Sequence, residues 1–243
     1  MTLDICSVLN PVQHSQSMDD AWTQACDKLR SHARGEAISY IRFATSENGT
    51  VIRERPTVLA KGFDVAWERS YLEEGLHRVD PIHQYAMTAQ RPFYWDELQL
   101  DDRAPAAVRP FLTQAREAGL SNGLSIPVFG PHLSNGCVSM TLAERGSRLT
   151  DEEMTVARSV SQALHIRFGE IELPTSSVTL SERERETLVW AARGKSTRDI
   201  AEILNVSAHT VDTLLRRVYR KLDVHDRTSA AIKALSAGFL HKS

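Results

Sequence analysis

No apolar run in this sequence is long enough to cross a bilayer as a helix, which excludes a helical membrane span. Cysteine is scarce. Cys6, Cys26 and Cys137 are odd in number and far apart, without the spacing of a zinc ribbon or a redox CxxC pair, so they read as reduced thiols. The opening MTLDICSVLNPVQHSQ lacks both the basic start and the sustained apolar core of a secretion signal, and the chain is expected in the cytoplasm. Neither a G-x-S-x-G elbow nor a phosphate-binding glycine loop is present, so catalysis has no positive support. Repeats and low-complexity tracts are also missing. Net charge is only −2, which by itself points neither to nor away from nucleic acid.

What is present is an ordinary globular composition, 42% hydrophobic and 25% charged, over 243 residues. That length accommodates two domains. The charge is unevenly spread: residues 175–243 carry 12 Lys and Arg against 8 Asp and Glu, whereas residues 1–174 carry 17 against 23. A small basic module beside a larger acidic domain is the asymmetry expected when one part meets phosphate and the other does something else.

Pro, Ser and Thr in ELPTSSVT (172–179) interrupt two helical patterns and mark a linker between domains at 1–171 and 180–243. Before it, ISYIRFAT (38–45), GLSIPVFG (123–130) and GCVSMTLA (136–143) alternate as half-buried strands do. VIRERPTVLA (51–60), with Pro56 inside, is a weaker strand. Helical patterns occupy 17–33, 65–75, 80–90, 104–120 and the stretch after the N-cap Thr150. The expected fold class is α+β: an N-terminal α/β/α sandwich on an antiparallel sheet, followed by a four-helix helix-turn-helix domain.

Punctuation marks the four helices. Ser181 with Glu184 forms a capping box and Gly194 closes the first helix; Ser196 with Asp199 opens a short second one. Asn205 and Val206 make a tight turn, Ser207 caps the third helix, and Asp226 or Thr228 opens a fourth ending near Gly238. Along SAHTVDTLLRRVYRKL, a 3.6-residue period puts Val211, Leu215, Val218 and Leu222 on one stripe, expected against the bracing helix at 197–204. The opposite face is basic and hydrogen-bonding. On an isolated helix such a face is usually just solvated, but a short helix, a turn and a longer helix form a helix-turn-helix, whose second helix fits a DNA major groove. His209, Asp212, Thr213 and Arg216 would then face the bases, while Lys195, Thr197, Arg217, Arg220 and Lys221 suit phosphates.

The run LSERERETLVWAARGKSTRDIAEILNVSAHTVDTLLRRVYRKLDV resembles the DNA-binding domain of LuxR-type transcriptional regulators over essentially its whole length. Glu184, Leu188, Gly194, Lys195, Ile200, Ala201, Leu204, Ser207, Thr210, Val211, Lys221 and Leu222 carry the match, and the resemblance adds Ser207 and Thr210 to the DNA-binding set. Leu214 departs from it, since many members have histidine or a basic residue there. Receiver-coupled regulators share this module, but residues 1–170 lack the acidic pair and parallel βα repeat of a receiver.

Upstream, the spacing of Trp67, Tyr71, Asp80, Pro81, Trp95 and Gly123 resembles the autoinducer-binding domain of LuxR-type quorum-sensing regulators, whose ligands are N-acyl-homoserine lactones. The resemblance implies that Trp67 donates its indole N–H to the lactone carbonyl, Asp80 accepts the amide N–H, and Ser139 approaches the acyl carbonyl. Tyr71 and Trp95 would wall the pocket, with Phe63 and Ile82 also against ligand. Phe63 stands where the family often has tyrosine, so one polar contact to the acyl group is missing.

Taken singly, Trp67 and Trp95 are more often core aromatics, and Asp80-Pro81 is most often a helix N-cap with proline at N1. Their joint spacing favours a site. His77, Asp80 and His83 could present metal ligands, but a helix break before Pro81 would separate them. The resemblance therefore implies a regulator and no enzyme. It would have no cofactor beyond its effector lactone and no membrane partner. It would act as a homodimer on a palindromic promoter site in double-stranded DNA and would engage RNA polymerase. A regulator that answers another small molecule, or none, is the alternative.

Overall fold

The computed structural model describes residues 4–43, 57–76, 79–98, 105–106, 108–131, 134–144, 146–172, 178–236 and 238–240. The chain forms two compact units, one holding the sheet and its helices, the other the last four helices.

In the first unit the order is α1 (Ile5–Gln13), α2 (Met18–Ala33), β1 (Gly35–Arg42), β2 (Thr57–Lys61), α3 (Val65–Glu73), α4 (Pro81–Ala86), β3 (Phe93–Tyr94), a 3-10 turn (Trp95–Leu98), α5 (Arg109–Glu117), β4 (Gly123–Phe129), β5 (Asn135–Leu142) and α6 (Asp151–Ile171). The five strands form an antiparallel sheet in the order β2-β1-β5-β4-β3. Strand alternation sends Ile38, Tyr40, Leu124, Ile126, Val138 and Met140 to one face, where they meet α1, α2 and α6 in the main core. On the other face Ile41 and Cys137 meet the side of α3, α4 and α5. The result is an α/β/α sandwich, and the second face houses the site.

The helix starts follow local chemistry. Thr150 and Glu153 form a reciprocal capping box on α6, and Ser17 caps α2. Several elements differ from the sequence expectation. The pattern at 80–90 yields a helix only from Pro81 to Ala86, and that at 104–120 a helix from Arg109 to Glu117, entered at Pro110. Of the proposed strand 51–60, residues 51–56 lie outside the described residues, and β2 begins at Thr57. Helix α1, which contains Pro11, and the two-residue β3 were not anticipated. Most of the linker 172–179 also lies outside the described residues.

In the second unit α7 (Glu182–Ala192), α8 (Thr197–Leu204), α9 (Ala208–Leu222) and α10 (Arg227–Ser236) match the punctuation. Ser181/Glu184 and Ser196/Asp199 both form the reciprocal box, and Asn205 closes α8 in the left-handed conformation that asparagine tolerates. The stripe on α9 is buried as expected, but its contacts correct the expected partner. Val211 and Leu215 pack against Ile200 and Ala201 of α8, whereas Val218 and Leu222 pack with Leu188, Ala230 and Ala234 of α7 and α10. The bracing helix supports only the first half of α9.

Candidate ligand cavity and DNA-reading helix

A cavity of about 190 Å³ lies between the sheet and the helices α3 to α5. Phe63, Trp67, Tyr71, Asp80, Ile82, Trp95 and Ser139 all line it, so the fold gathers every ligand-binding candidate from segments up to 76 residues apart. The walls are mainly apolar: Ile41, Val58, Phe111 and Leu120 are among them, with Glu68 and His83 as further polar lining, and Trp67 lies against Phe111 with ring centroids 5.8 Å apart. An apolar chamber with a few fixed polar groups is the form of a small-molecule site.

The polar groups are held by the protein itself. Asp80 is 7% exposed and caps α4: its Oδ1 accepts the backbone N–H of Ile82 at 2.8 Å and of His83 at 3.2 Å. Its Oδ2 accepts the Tyr71 hydroxyl at 2.7 Å. Tyr71 is therefore more than a wall. Burial, and after it the Asp80 charge, push its phenol far above the ordinary range, so it remains a donor. His77, part of the considered metal triad, lies outside the described residues.

Trp95 is similarly engaged. Its indole N–H donates to Ser125 Oγ at 2.9 Å, and Ser125 shares a 2.8 Å hydrogen bond with Ser139 Oγ. Gly123 makes room for that indole: a Cβ there would stand 2.6 Å from two Trp95 ring carbons and from the Met140 carbonyl. Sequence reasoning missed Ser39, Ser125 and Cys137. The alternation in GCVSMTLA already put Cys137 on the face of Ser139, but Ser39 and Ser125 come into range only through strand register. Buried beneath the cavity, the Cys137 thiol is pushed up to about 12, chiefly by desolvation, and stays protonated.

On α9, His209, Asp212, Arg216, Arg217 and Arg220 are exposed, as are Lys195 before α8 and Ser207 and Thr210 at the start of α9. Thr197 opens α8 and is half-buried. Ser207 Oγ accepts the Thr210 N–H at 3.0 Å and bonds the Thr210 hydroxyl at 2.8 Å, so both residues first of all begin the helix. Thr213, half-buried, donates its hydroxyl to the His209 carbonyl at 2.9 Å. Leu214, half-buried, flanks the stripe.

Lys221 is a correction. Its ammonium is not presented for phosphate but is tied to Glu184 Oε2 at 2.6 Å and the Thr179 carbonyl at 3.0 Å. Burial would raise the Glu184 carboxyl, yet Lys221 and the Ser181 bonds outweigh it and hold the group below the usual carboxylate range. Arg227 likewise faces inward, donating to the carbonyls of Ala191 and Lys195.

A mainly apolar small-molecule cavity on a sandwich and an exposed basic helix in a helix-turn-helix together define a ligand-sensing DNA-binding regulator. Residues 19–169 match the autoinducer binding domain, and residues 178–234 match the bacterial regulatory proteins of the luxR family; the chain belongs to that family. It is 35% identical over 185 residues to the quorum sensing-dependent transcriptional regulator RpaR of Rhodopseudomonas palustris, covering 75% of this chain and 74% of the relative. With the transcriptional activator AhyR of Aeromonas hydrophila it shares 31% identity over 96% of this chain and 92% of the other. Escherichia coli SdiA has the same fold, with a TM-score of 0.73 and 22% identity over 98% of both chains. The protein is a quorum-sensing transcriptional regulator and not an enzyme, and its first domain implies an effector ligand with no cofactor indicated. Among the described residues no helix is long and apolar enough to cross a membrane.

Proposed function

We propose that this regulator binds an N-acyl-homoserine lactone in the cavity and reads a palindromic promoter site as a homodimer in the cytoplasm, engaging RNA polymerase there. Residues 1–171 form the sensor, 172–179 the linker and 180–243 the DNA-binding domain. The observation that carries the ligand class is the set of polar groups within one apolar chamber: the Trp67 indole, the Asp80 carboxylate and the Ser139 hydroxyl.

A homoserine lactone offers a ring carbonyl, an amide N–H and an acyl carbonyl on an apolar tail. Trp67 has a donor-only indole for the ring carbonyl. Asp80 has an acceptor-only carboxylate for the amide, already oriented by two backbone amides and Tyr71. Ser139 donates to the acyl carbonyl, and the aromatic walls take the tail. Phe63 supplies wall and no hydroxyl.

For DNA, His209, Asp212, Thr213 and Arg216 read base edges, with Arg216 bidentate to guanine and the Thr213 methyl against a thymine methyl. Lys195, Thr197, Arg217 and Arg220 hold phosphates, and Ser207 and Thr210 set the start of the reading helix beside them. Two copies place two such helices about one DNA turn apart, which supplies contacts that one module lacks.

The experiment is thermal unfolding and operator binding of the purified full chain with a panel of lactones. The expected result is a lactone-dependent rise in melting temperature. Equal operator binding with and without lactones, and no thermal shift from any of them, would instead favour a regulator that answers another metabolite or none.

A further inference from the structure

The row of residues across the sheet beneath the cavity runs Ala60, Ser39, Ser139, Ser125, Phe93, each directly opposite the next on strands β2, β1, β5, β4 and β3. Three adjacent members are serines, on the cavity side of a sheet whose other face is apolar. They are not equivalent. Ser125 is fully buried and accepts from Trp95, whose indole can only donate. Its own proton can then go to Ser139 Oγ, 2.8 Å away, so that Ser139, whose other polar neighbour is the Cys137 thiol at 3.7 Å, can donate into the cavity. Ser39 is half-buried and lines the cavity, and among the described residues no group takes its hydroxyl.

Opposed residues on antiparallel strands have Cβ atoms roughly 4.5–5.5 Å apart. Two oxygens on the first and third carbons of an acyl chain stand about 3–5 Å apart by standard bond lengths. If Ser139 holds the acyl carbonyl, the next hydroxyl in the row is set for an oxygen on the third carbon.

We propose that Ser39 is a specificity-determining residue, recognising an oxo or hydroxy group at the third acyl carbon of the ligand. The inference rests on the lactone reading above. A serine hydroxyl both donates and accepts, so it serves either substituent. Against an unsubstituted chain it is left facing methylene groups, which costs affinity instead of adding it.

The test measures dissociation constants of the full chain, wild type, Ser39→Ala, Ser39→Thr and Ser139→Ala, for lactones of one chain length that are unsubstituted, 3-hydroxylated or 3-oxidised. Ser39→Ala should weaken the two oxygenated ligands about 3- to 10-fold and leave the unsubstituted one unchanged or tighter. Ser39→Thr, which keeps the hydroxyl, should restore the preference. Ser139→Ala should weaken all three alike. If Ser39→Ala changes all three by the same factor, or none, the assignment of Ser39 is overturned while the lactone reading stands. If the wild-type chain binds none of the three, the lactone reading falls and this inference with it.

Discussion

Asp80 shows how much one side chain is asked to do. One oxygen starts α4 and the other holds Tyr71, so its carboxylate cannot rotate away from the cavity without breaking three hydrogen bonds. Asparagine caps helices about as well as aspartate, so Asp80→Asn should keep the α4 cap, its amide NH2 donating to the Tyr71 oxygen in place of the bond the carboxylate accepts. It removes the charge, however, and a hydrogen bond to a charged group contributes about 1.5–3 kcal/mol. A lactone titration should show affinity lower by roughly 10- to 100-fold; unchanged affinity would remove Asp80 from the site. On the DNA side, Arg216→Ala should relax preference at one base position at a cost of about 1–3 kcal/mol. Arg217→Ala should instead weaken all sequences and flatten the salt dependence by about one counterion. Binding measured on operator and random duplexes over a salt series separates the two, and equal behaviour of both variants would refute the docking face.

At the scale of elements, sequence legibility divides cleanly. The four C-terminal helices could be bounded to within a residue or two because their starts are written locally: a serine with an acid three residues on before α7 and α8, Ser207 before α9 and Asp226 before α10. The sandwich was legible as a class, and its ligand candidates do converge, but the serine row and the Trp95–Ser125 bond depend on which strands pair and in what register. No local pattern specifies that pairing. The same holds for Lys221, read as a phosphate contact because lysine near a helix end usually faces solvent; its partner Glu184 is 37 residues away in sequence.

Two element-scale predictions follow from these contacts. A methyl at Gly123 would press on Trp95 and on the Met140 carbonyl, and a backbone carbonyl cannot yield cheaply. Gly123→Ala should cost about 1–3 kcal/mol by overpacking. It should also weaken ligand binding, with the Trp95 fluorescence environment as the readout; native ligand affinity would show that the indole does not shape the cavity. The Glu184–Lys221 pair ties α7 to α9, and its carboxyl is depressed on folding. Such a group adds stability that is complete above its unfolded value of about 4.3 and lost as pH falls through the lower folded value. Chemical unfolding of the four-helix unit should therefore show a loss below about pH 4. Glu184→Gln should reduce stability at neutral pH by about 1–2 kcal/mol and flatten that acid limb. An unchanged acid limb would place the titrating group elsewhere.

For the whole molecule, the two units have separate cores, so a ligand held only in the first should act on its unfolding alone. At a hundredfold excess over its dissociation constant a ligand adds about 2.7 kcal/mol by mass action. For a domain of this size that raises the melting temperature on the order of 5–10 °C. Calorimetry should show the sandwich transition rising while that of the four helices stays in place. Equal movement of both would mean that the units unfold as one.

The exposed face of α9 differs in one respect from the cavity. Among the described residues, the side chains of His209, Asp212, Arg216 and Arg217 supply no helix cap and no core contact. In the cavity, by contrast, Asp80, Tyr71, Trp95 and Ser139 are each tied into the fold by hydrogen bonds. A substitution on that face of α9 therefore removes no contact of the fold, whereas one at Asp80, Tyr71, Trp95 or Ser139 also breaks a hydrogen bond that holds the sandwich; Ser39, whose hydroxyl is not so tied among the described residues, is the cavity position that can change at little cost. Substitutions on the reading helix should therefore cost the fold less than substitutions at the anchored wall of the cavity.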